Sequence, residues 1–227
     1  MLIYQYCVIT IPLLLLYHII STCSHIYLNI NTSTVIHQLY RSIVCGSVSL
    51  AAAIITIVHW QSSPFTKSLG IHAVNQTMIG FLALDVCLMA YHRNTRLELW
   101  AHHVFCLATY VIMVEYFDHS NLLLAMMSMG ESLSIMSGVD ALLNVITLNV
   151  ITFNKTTRYN QYSSITKWFR MGIIVFVRFP LWLYLAYITV HFATPLVVRI
   201  NSAIGVYVMI LMDAHWFKRC HCVVHSA

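Results

Sequence analysis

The chain has 227 residues, of which 59% are hydrophobic and 8% charged, with a mean hydropathy of +0.77 and a formal net charge of +5. A soluble domain carries about 45–50% apolar and about 25% charged residues, so 12 basic and 7 acidic side chains cannot coat a globule in water. The balance excludes an ordinary cytosolic enzyme, a disordered tail and a nucleic-acid binder, which needs a dense Lys/Arg patch. It leaves an all-α polytopic transmembrane bundle. Seven spans of about 20 residues would consume roughly 140 positions, so the loops must be short and no second soluble domain fits.

In chain order, apolar runs predict spans at 6–30, 43–60, 74–91 and 100–117, a long stretch at 122–153, and two last spans at 171–192 and 196–217. The first lacks a basic n-region and an A-x-A site, so it reads as a retained helix rather than a cleaved signal. Trp60, Trp100, Trp168 and Trp216 fall at predicted span edges, where indole rings prefer to sit. The 32 residues of 122–153 would extend about 48 Å as a helix, beyond the roughly 30 Å hydrocarbon core. They form either one tilted, projecting helix or a helix broken near Gly138, and one long helix keeps the loops alternating. Residues 154–170 read as the one sizeable loop, polar and basic-edged.

Basic residues divide by side. Arg41, Arg93, Arg96, Lys155, Arg158, Lys167, Arg170, Lys218 and Arg219 share one side, against Lys67 and Arg199 on the other. That excess places the C-terminus in the cytosol. Asn31, Asn75 and Asn154 open N-x-[S/T] sequons; on this topology only Asn75 faces the lumen, too near the membrane for a firm glycan site. The seven cysteines include no C-x-x-C pair and suggest no disulfide framework. The terminal cluster His215, Cys220, His221, Cys222 and His225 could ligate a metal, but equally reads as palmitoylation sites or plain thiols. No metal and no cofactor are assigned.

An ionisable residue at the centre of a span costs about 2.5–3.5 kcal/mol on insertion scales, so each one asks for a reason. Asp85 sits mid-way along the third span, with His92 on its stripe, and His102-His103 opens the fourth. Glu131 and Asp140 lie in the long stretch, Arg178 in the sixth span and Asp213 in the last. His18, His25, His37, His59, His72, His119 and His191 read as interfacial residues, and for His102 and His103 that reading competes with a functional one. For Asp85, Glu131 and Arg178 an internal polar network competes with a substrate site. Glu131 and Asp140 are nine residues apart, half a turn at 100° per residue. Glu131 is therefore expected to face the bundle interior and Asp140 to serve packing or the interface.

The sequence GFLALDVCLMAYHRNTRLELWAHHVFCLATY, with Asp85 followed by a short basic loop and His102-His103, resembles the TLC domain shared by translocating-chain-associated proteins, Lag1-type ceramide synthases and CLN8-type proteins. The acidic-Ser element Met129-Gly130-Glu131-Ser132 and the segment FVRFP around Arg178 extend the resemblance over about 63–218. It implies a bundle of about six helices around a cavity open to the cytosol, preceded by an extra span: an N-terminal span and loop at 1–42, a TLC-type domain at 43–219 and a short cytosolic tail at 220–227. By position it makes His102 and His103 catalytic bases, with Asp85 orienting them, and gives Glu131, Ser132 and Arg178 to a lipid cavity. A neutral imidazole can take the proton from an amine attacking a thioester. The H-D-x-x-D element of ceramide synthases is absent, which places the chain nearer the small TLC-domain and CLN8-type branch.

Three readings follow. The first is a protein of lipid homeostasis that holds acyl-chain or sphingolipid-type lipids inside the bundle. The second is an acyl-CoA-dependent lipid N-acyltransferase, with acyl-CoA as co-substrate. The third is a translocation or cargo-loading helper. Membrane lipids are the expected partners, and nucleic acid is not; homo- or hetero-oligomerisation is left open. An endoplasmic-reticulum-type membrane is expected. The liberal use of Ile, Asn and Tyr suggests an AT-rich genome, and were the source viral the membrane would be a host's.

Overall fold

The computed structural model describes residues 2–28, 33–116, 121–150, 155–191 and 196–226. Within them lie nine α-helices: α1 Leu2–Leu28, α2 Ser33–Val58, α3 Leu69–Tyr91, α4 Leu97–Val111, α5 Leu122–Met127, α6 Leu133–Val150, α7 Lys155–Ile173, α8 Phe179–His191 and α9 Leu196–Ser226. No strand occurs among the described residues. Three spans are built from joined pieces. A π-helical turn, Ile112–Tyr116, extends α4; a 3₁₀ segment, Ser128–Ser132, joins α5 to α6; and a second π turn, Ile174–Arg178, joins α7 to α8. This yields seven helical stretches long and apolar enough to cross a membrane, so the protein is a multi-pass membrane protein with an all-α bundle.

Local sequence explains the joints. Pro180 has no N–H and its ring would press on the carbonyl four residues back; the chain answers by widening into the π turn just before it, which ends on Arg178. Asn121 starts α5 by accepting from Leu124 N through Oδ1 at 3.1 Å, and Ser68 caps α3 through Ile71 N. The connection before α3 folds under α5: Leu122 N donates to Thr66 O and Leu123 N to Pro64 O. Between α3 and α4 the chain reverses at Arg93, which sits at φ 49°. Asn94 N donates to Met89 O there, and Arg96 N donates to Asn94 Oδ1.

Packing puts α2 at the centre, against α1, α3, α6 and the 3₁₀ segment, while α9 closes the bundle on α4, α7 and α8. Tyr40, Phe81, Leu82, Met78 and Trp182 are buried in one apolar core. Large apolar side chains such as Ile57, Phe176, Leu183 and Val190 point outward, as they must where the solvent is lipid. The close approach of α2 to α6 depends on Gly138, at which a Cβ would overlap the side chain of Ser42; Ser42 Oγ also donates to Ile135 O at 2.9 Å.

Several expectations are corrected. Of the stretch 122–153, Leu122–Leu143 is one crossing and residues 151–153 lie outside the described residues; the irregularity falls at Ser128–Ser132, and Gly138 is a contact point inside a regular helix, not a break. The expected loop 154–170 is mostly helix α7; its polar sequence misled because a helix leaving the membrane has no need of apolar residues. Its first residue, Asn154, and the sequon at Asn31 lie outside the described residues, as does His119. The second span begins at Ser33 rather than 43, so Arg41 is not a loop charge and 33–42 is not loop. Asn75 is fully buried in α3, its Nδ2 donating to Asn121 O at 3.3 Å, which closes that sequon to a glycan.

One prediction arises here. Gly138→Ala is expected to cost about 1–3 kcal/mol by overpacking. Gly172→Ala, whose added methyl would meet nothing within 4 Å, should instead gain about 0.5–1 kcal/mol in helix propensity. Thermal unfolding in detergent checks both; equal midpoints would refute the contact.

Candidate functional site

The α3–α4 turn and the C-terminal half of α9 lie at one end of the bundle. Most polar side chains that had to be buried are gathered at that end. Asp85 of α3 is fully buried. Arg41 of α2 grips it with a fork, Nε to Oδ1 at 2.7 Å and Nη2 to Oδ2 at 2.6 Å, and His37 Nε2 adds a bond to Oδ1 at 2.7 Å. His103 Nδ1 lies 3.0 Å from Oδ2, at ion-pair distance but outside hydrogen-bond alignment. His37 and Arg41 reach one carboxylate because residues four apart on a helix share a face.

A second group forms around Glu131, which the 3₁₀ segment turns inward. His102 Nε2 meets Glu131 Oε1 at 3.1 Å, and Cys45 Sγ donates to Oε2 at 4.0 Å. The other ring nitrogen of His102, Nδ1, lies 3.6 Å from Cys106 Sγ, one turn along α4. His103 and Trp216 both pack edge-on against the His102 ring, at centroid distances of 5.0 and 5.6 Å. His102, Cys106 and Glu131 also make up the one cluster of three potential metal ligands among the described residues, with donor atoms within 4.8 Å of one another.

Arg178 anchors a third group. Its Nε donates to Asp213 Oδ2 at 3.0 Å, its Nη1 donates to Gly130 O, and Nη2 lies 2.8 Å from Asp213 Oδ1. Trp182 Nε1 donates to the same carboxylate at 2.7 Å. The guanidinium stands 5.5 Å from the centroids of both Trp182 and Trp216, which suits a delocalised cation. Through Gly130 O it holds the 3₁₀ segment whose next residue is Glu131. A Cβ at Gly130 would come within 2.7 Å of Trp182, so only glycine permits that approach.

These groups surround a cavity of about 400 Å³ lined by Arg41, His102, His103, Glu131, Arg178 and Trp216, with Arg96, Lys167, Arg170 and Arg219 also on its wall. Six lining residues are Lys or Arg and one, Glu131, is acidic. The inner arginines are matched one to one by Asp85 and Asp213. The outer four are not: Lys167 and Arg170 share Asp140, each at 2.6 Å, and Arg96 and Arg219 share Glu98, at 3.0 and 2.9 Å. Two cations per carboxylate on each side leave a surplus of positive charge around the mouth.

Of the residues singled out in the sequence, His102, His103, Glu131 and Arg178 line this cavity, and Asp85 lies behind it, under Arg41 and His103. Ser132 is not part of the lining and its Oγ has no hydrogen bond; in a 3₁₀ segment consecutive residues point 120° apart, so Glu131 and Ser132 cannot share a direction. Asp140, expected in a packing or interfacial role, pairs with Lys167 and Arg170 of α7 at the cavity wall. Trp216, expected at an interface, is a cavity wall. His37, read as interfacial, and Arg41, read as a loop charge, are buried partners of Asp85. Their i, i+4 spacing was the available signal. Cys106 was likewise one turn from His102. His92, just past the end of α3, accepts from or donates to Tyr17 Oη at 2.7 Å; burial, then the neighbouring His37, hold its pKa below the ordinary imidazole value. The terminal His215, Cys220 and His221 do not converge: Cys220 lies at the cavity wall, while His221 is exposed and stacks on Phe217. His225 lies outside the described side chains.

No family model, no curated protein and no solved structure matches this chain.

Proposed function

We propose that this is a TLC-type protein of lipid homeostasis that holds an acyl-chain lipid with its anionic head in the cavity and its tail along the bundle. The observation that carries this reading is the surplus of positive charge on the lining: Lys167 and Arg170 share Asp140, and Arg96 and Arg219 share Glu98, in a chain with only 12 basic residues. A volume of about 400 Å³ is at the small end of ligand pockets. It fits a head group, while the tail belongs to the apolar environment outside. The mouth lies beside Arg219 and Cys220, so on the orientation set by the basic residues it opens to the cytosol. An endoplasmic-reticulum-type membrane suits that arrangement.

A second reading, acyl-CoA-dependent N-acyltransfer, is favoured by a separate feature. His102 faces the cavity with Glu131 fixing one of its nitrogens, the geometry of an oriented general base.

The test of the first reading is retention of lipid. Protein purified from mixed membranes is expected to keep anionic lipid over phosphatidylcholine, as read by native mass spectrometry. Lys167→Gln together with Arg170→Gln is expected to lower that retention several-fold, more so at low salt, where charge pairing is less screened. Equal retention of neutral and anionic lipid would defeat the reading.

A further inference from the structure

We propose that Cys106 is an acyl-accepting nucleophile, served by His102 as base and Glu131 as the group that orients it, and that the acyl group arrives as a thioester. This rests on the acyl-chain reading above and adds a covalent step to it.

The three residues stand in the order such a triad requires. Cys106 Sγ is 3.6 Å from His102 Nδ1, and His102 Nε2 is 3.1 Å from Glu131 Oε1. With Nε2–H donated to the carboxylate, Nδ1 is left as the acceptor that faces the thiol, which is the tautomer a base needs. Trp216 and His103 pack against the ring and restrict its rotation. His102 and Glu131 both line the cavity, whereas Cys106 stands one turn further along α4, behind His102 and outside the lining, so an acyl carbonyl has to pass the imidazole to reach its sulfur. A second thiol, Cys45, contacts Glu131 from the far side, but it is 0% exposed whereas Cys106 retains 7%. Cys45 also has a carboxylate, not an imidazole, as its neighbour.

The same three side chains could be read as metal ligands. The division of the ring argues otherwise. One nitrogen faces the sulfur and the other the carboxylate, and a single ion can take only one nitrogen of an imidazole. The donor atoms lie within 4.8 Å of one another, so the zinc content of the purified protein is the measurement that separates the two.

The chemistry balances. The Cys106 proton passes to His102 Nδ1 as Sγ attacks the thioester carbonyl; the bond from that carbonyl to the donor sulfur breaks, and the proton leaves with the donor thiol. The product is an acyl-Cys106 thioester of about the same energy as the one consumed. An amine or hydroxyl can then attack it with His102 again accepting the proton, which releases the amide or ester and restores the thiol.

The experiment uses the full chain in detergent micelles with palmitoyl-CoA as probe, read by intact mass and by mapping of the modified peptide. A single palmitoyl group on the Cys106 peptide, removable by neutral hydroxylamine, is expected. Cys106→Ala should abolish it, and Cys106→Ser should leave at most a hydroxylamine-resistant ester. Glu131→Gln, which keeps the shape, should slow its formation, and His102→Ala should slow it by about 100-fold or more. Acylation confined to the exposed Cys23, Cys87 or Cys222, and independent of His102, would overturn the proposal as surface chemistry. Stoichiometric zinc in the purified protein, lost in Cys106→Ala, would overturn it in favour of a metal site. Non-covalent retention of palmitoyl-CoA without an adduct would overturn the nucleophile while leaving the lipid-holding reading intact, and absence of both would sink the two together.

Discussion

Replacement of Asp85 by alanine is expected to destabilise the bundle by about 3–5 kcal/mol, the cost of leaving a buried charge without its partner. The loss strands Arg41, which is 7% exposed and has both ends of its fork on this carboxylate, and removes the acceptor of His37. A drop of that size should lower the unfolding midpoint by on the order of 10 °C. Arg41→Met alone should be similarly harmful, since it leaves the carboxylate buried beside two imidazoles. The double variant Asp85→Leu with Arg41→Met should cost much less than the sum, because removing both charges removes the desolvation penalty as well. Strict additivity of the two single effects would show that the pair is not coupled, against the 2.6 and 2.7 Å contacts. Arg41→Lys should fall between, since an ammonium cannot reproduce the two parallel bonds of a guanidinium.

Asp213→Asn should be nearly as damaging, even though the replacement has the same shape and its carbonyl can still accept from Trp182. Arg178 is 1% exposed and would be left with neutral acceptors only, Gly130 O and the amide oxygen at 213, and two indole faces. About 3 kcal/mol or more of destabilisation is expected. A second consequence separates this site from Asp85. Arg178 holds Gly130, the residue before Glu131, so a loosened Arg178 should also disturb Glu131 and with it His102. In Arg178→Met the acyl-Cys106 adduct should therefore form more slowly even at temperatures where the variant stays folded. If Asp213→Asn unfolds within about 0.5 kcal/mol of the parent, the buried pair contributes nothing and the anchoring role of Arg178 goes with it.

The readable and unreadable parts of this molecule divide along a physical line. Spans could be counted because lipid demands a long apolar run for each crossing, a demand met within contiguous sequence. Asp85, Glu131 and Arg178 could be picked out because a charge in such a run is costly wherever it goes. Their partners could not be read in the same way. Arg41 looked like one more basic residue near a span edge, and His37 like one more interfacial histidine; only the crossing of α2 beside α3 makes them the ligands of Asp85. Glu131 and Ser132 were adjacent letters of one motif, and neighbours on any helix point about 100–120° apart.

By itself, then, the sequence determined the solvent, the number of crossings and the short list of ionisable residues that required compensation, since these follow from composition and run length. Which acid meets which base was decided by helix packing alone. So was the gathering of six cations about one cavity, and so was the meeting of Glu131 with His102, beside which helical spacing already sets Cys106. The reason is distance along the chain: Arg41 and Asp85 are 44 residues apart, His102 and Glu131 29, and Arg178 and Asp213 35, separations at which no helical periodicity carries information.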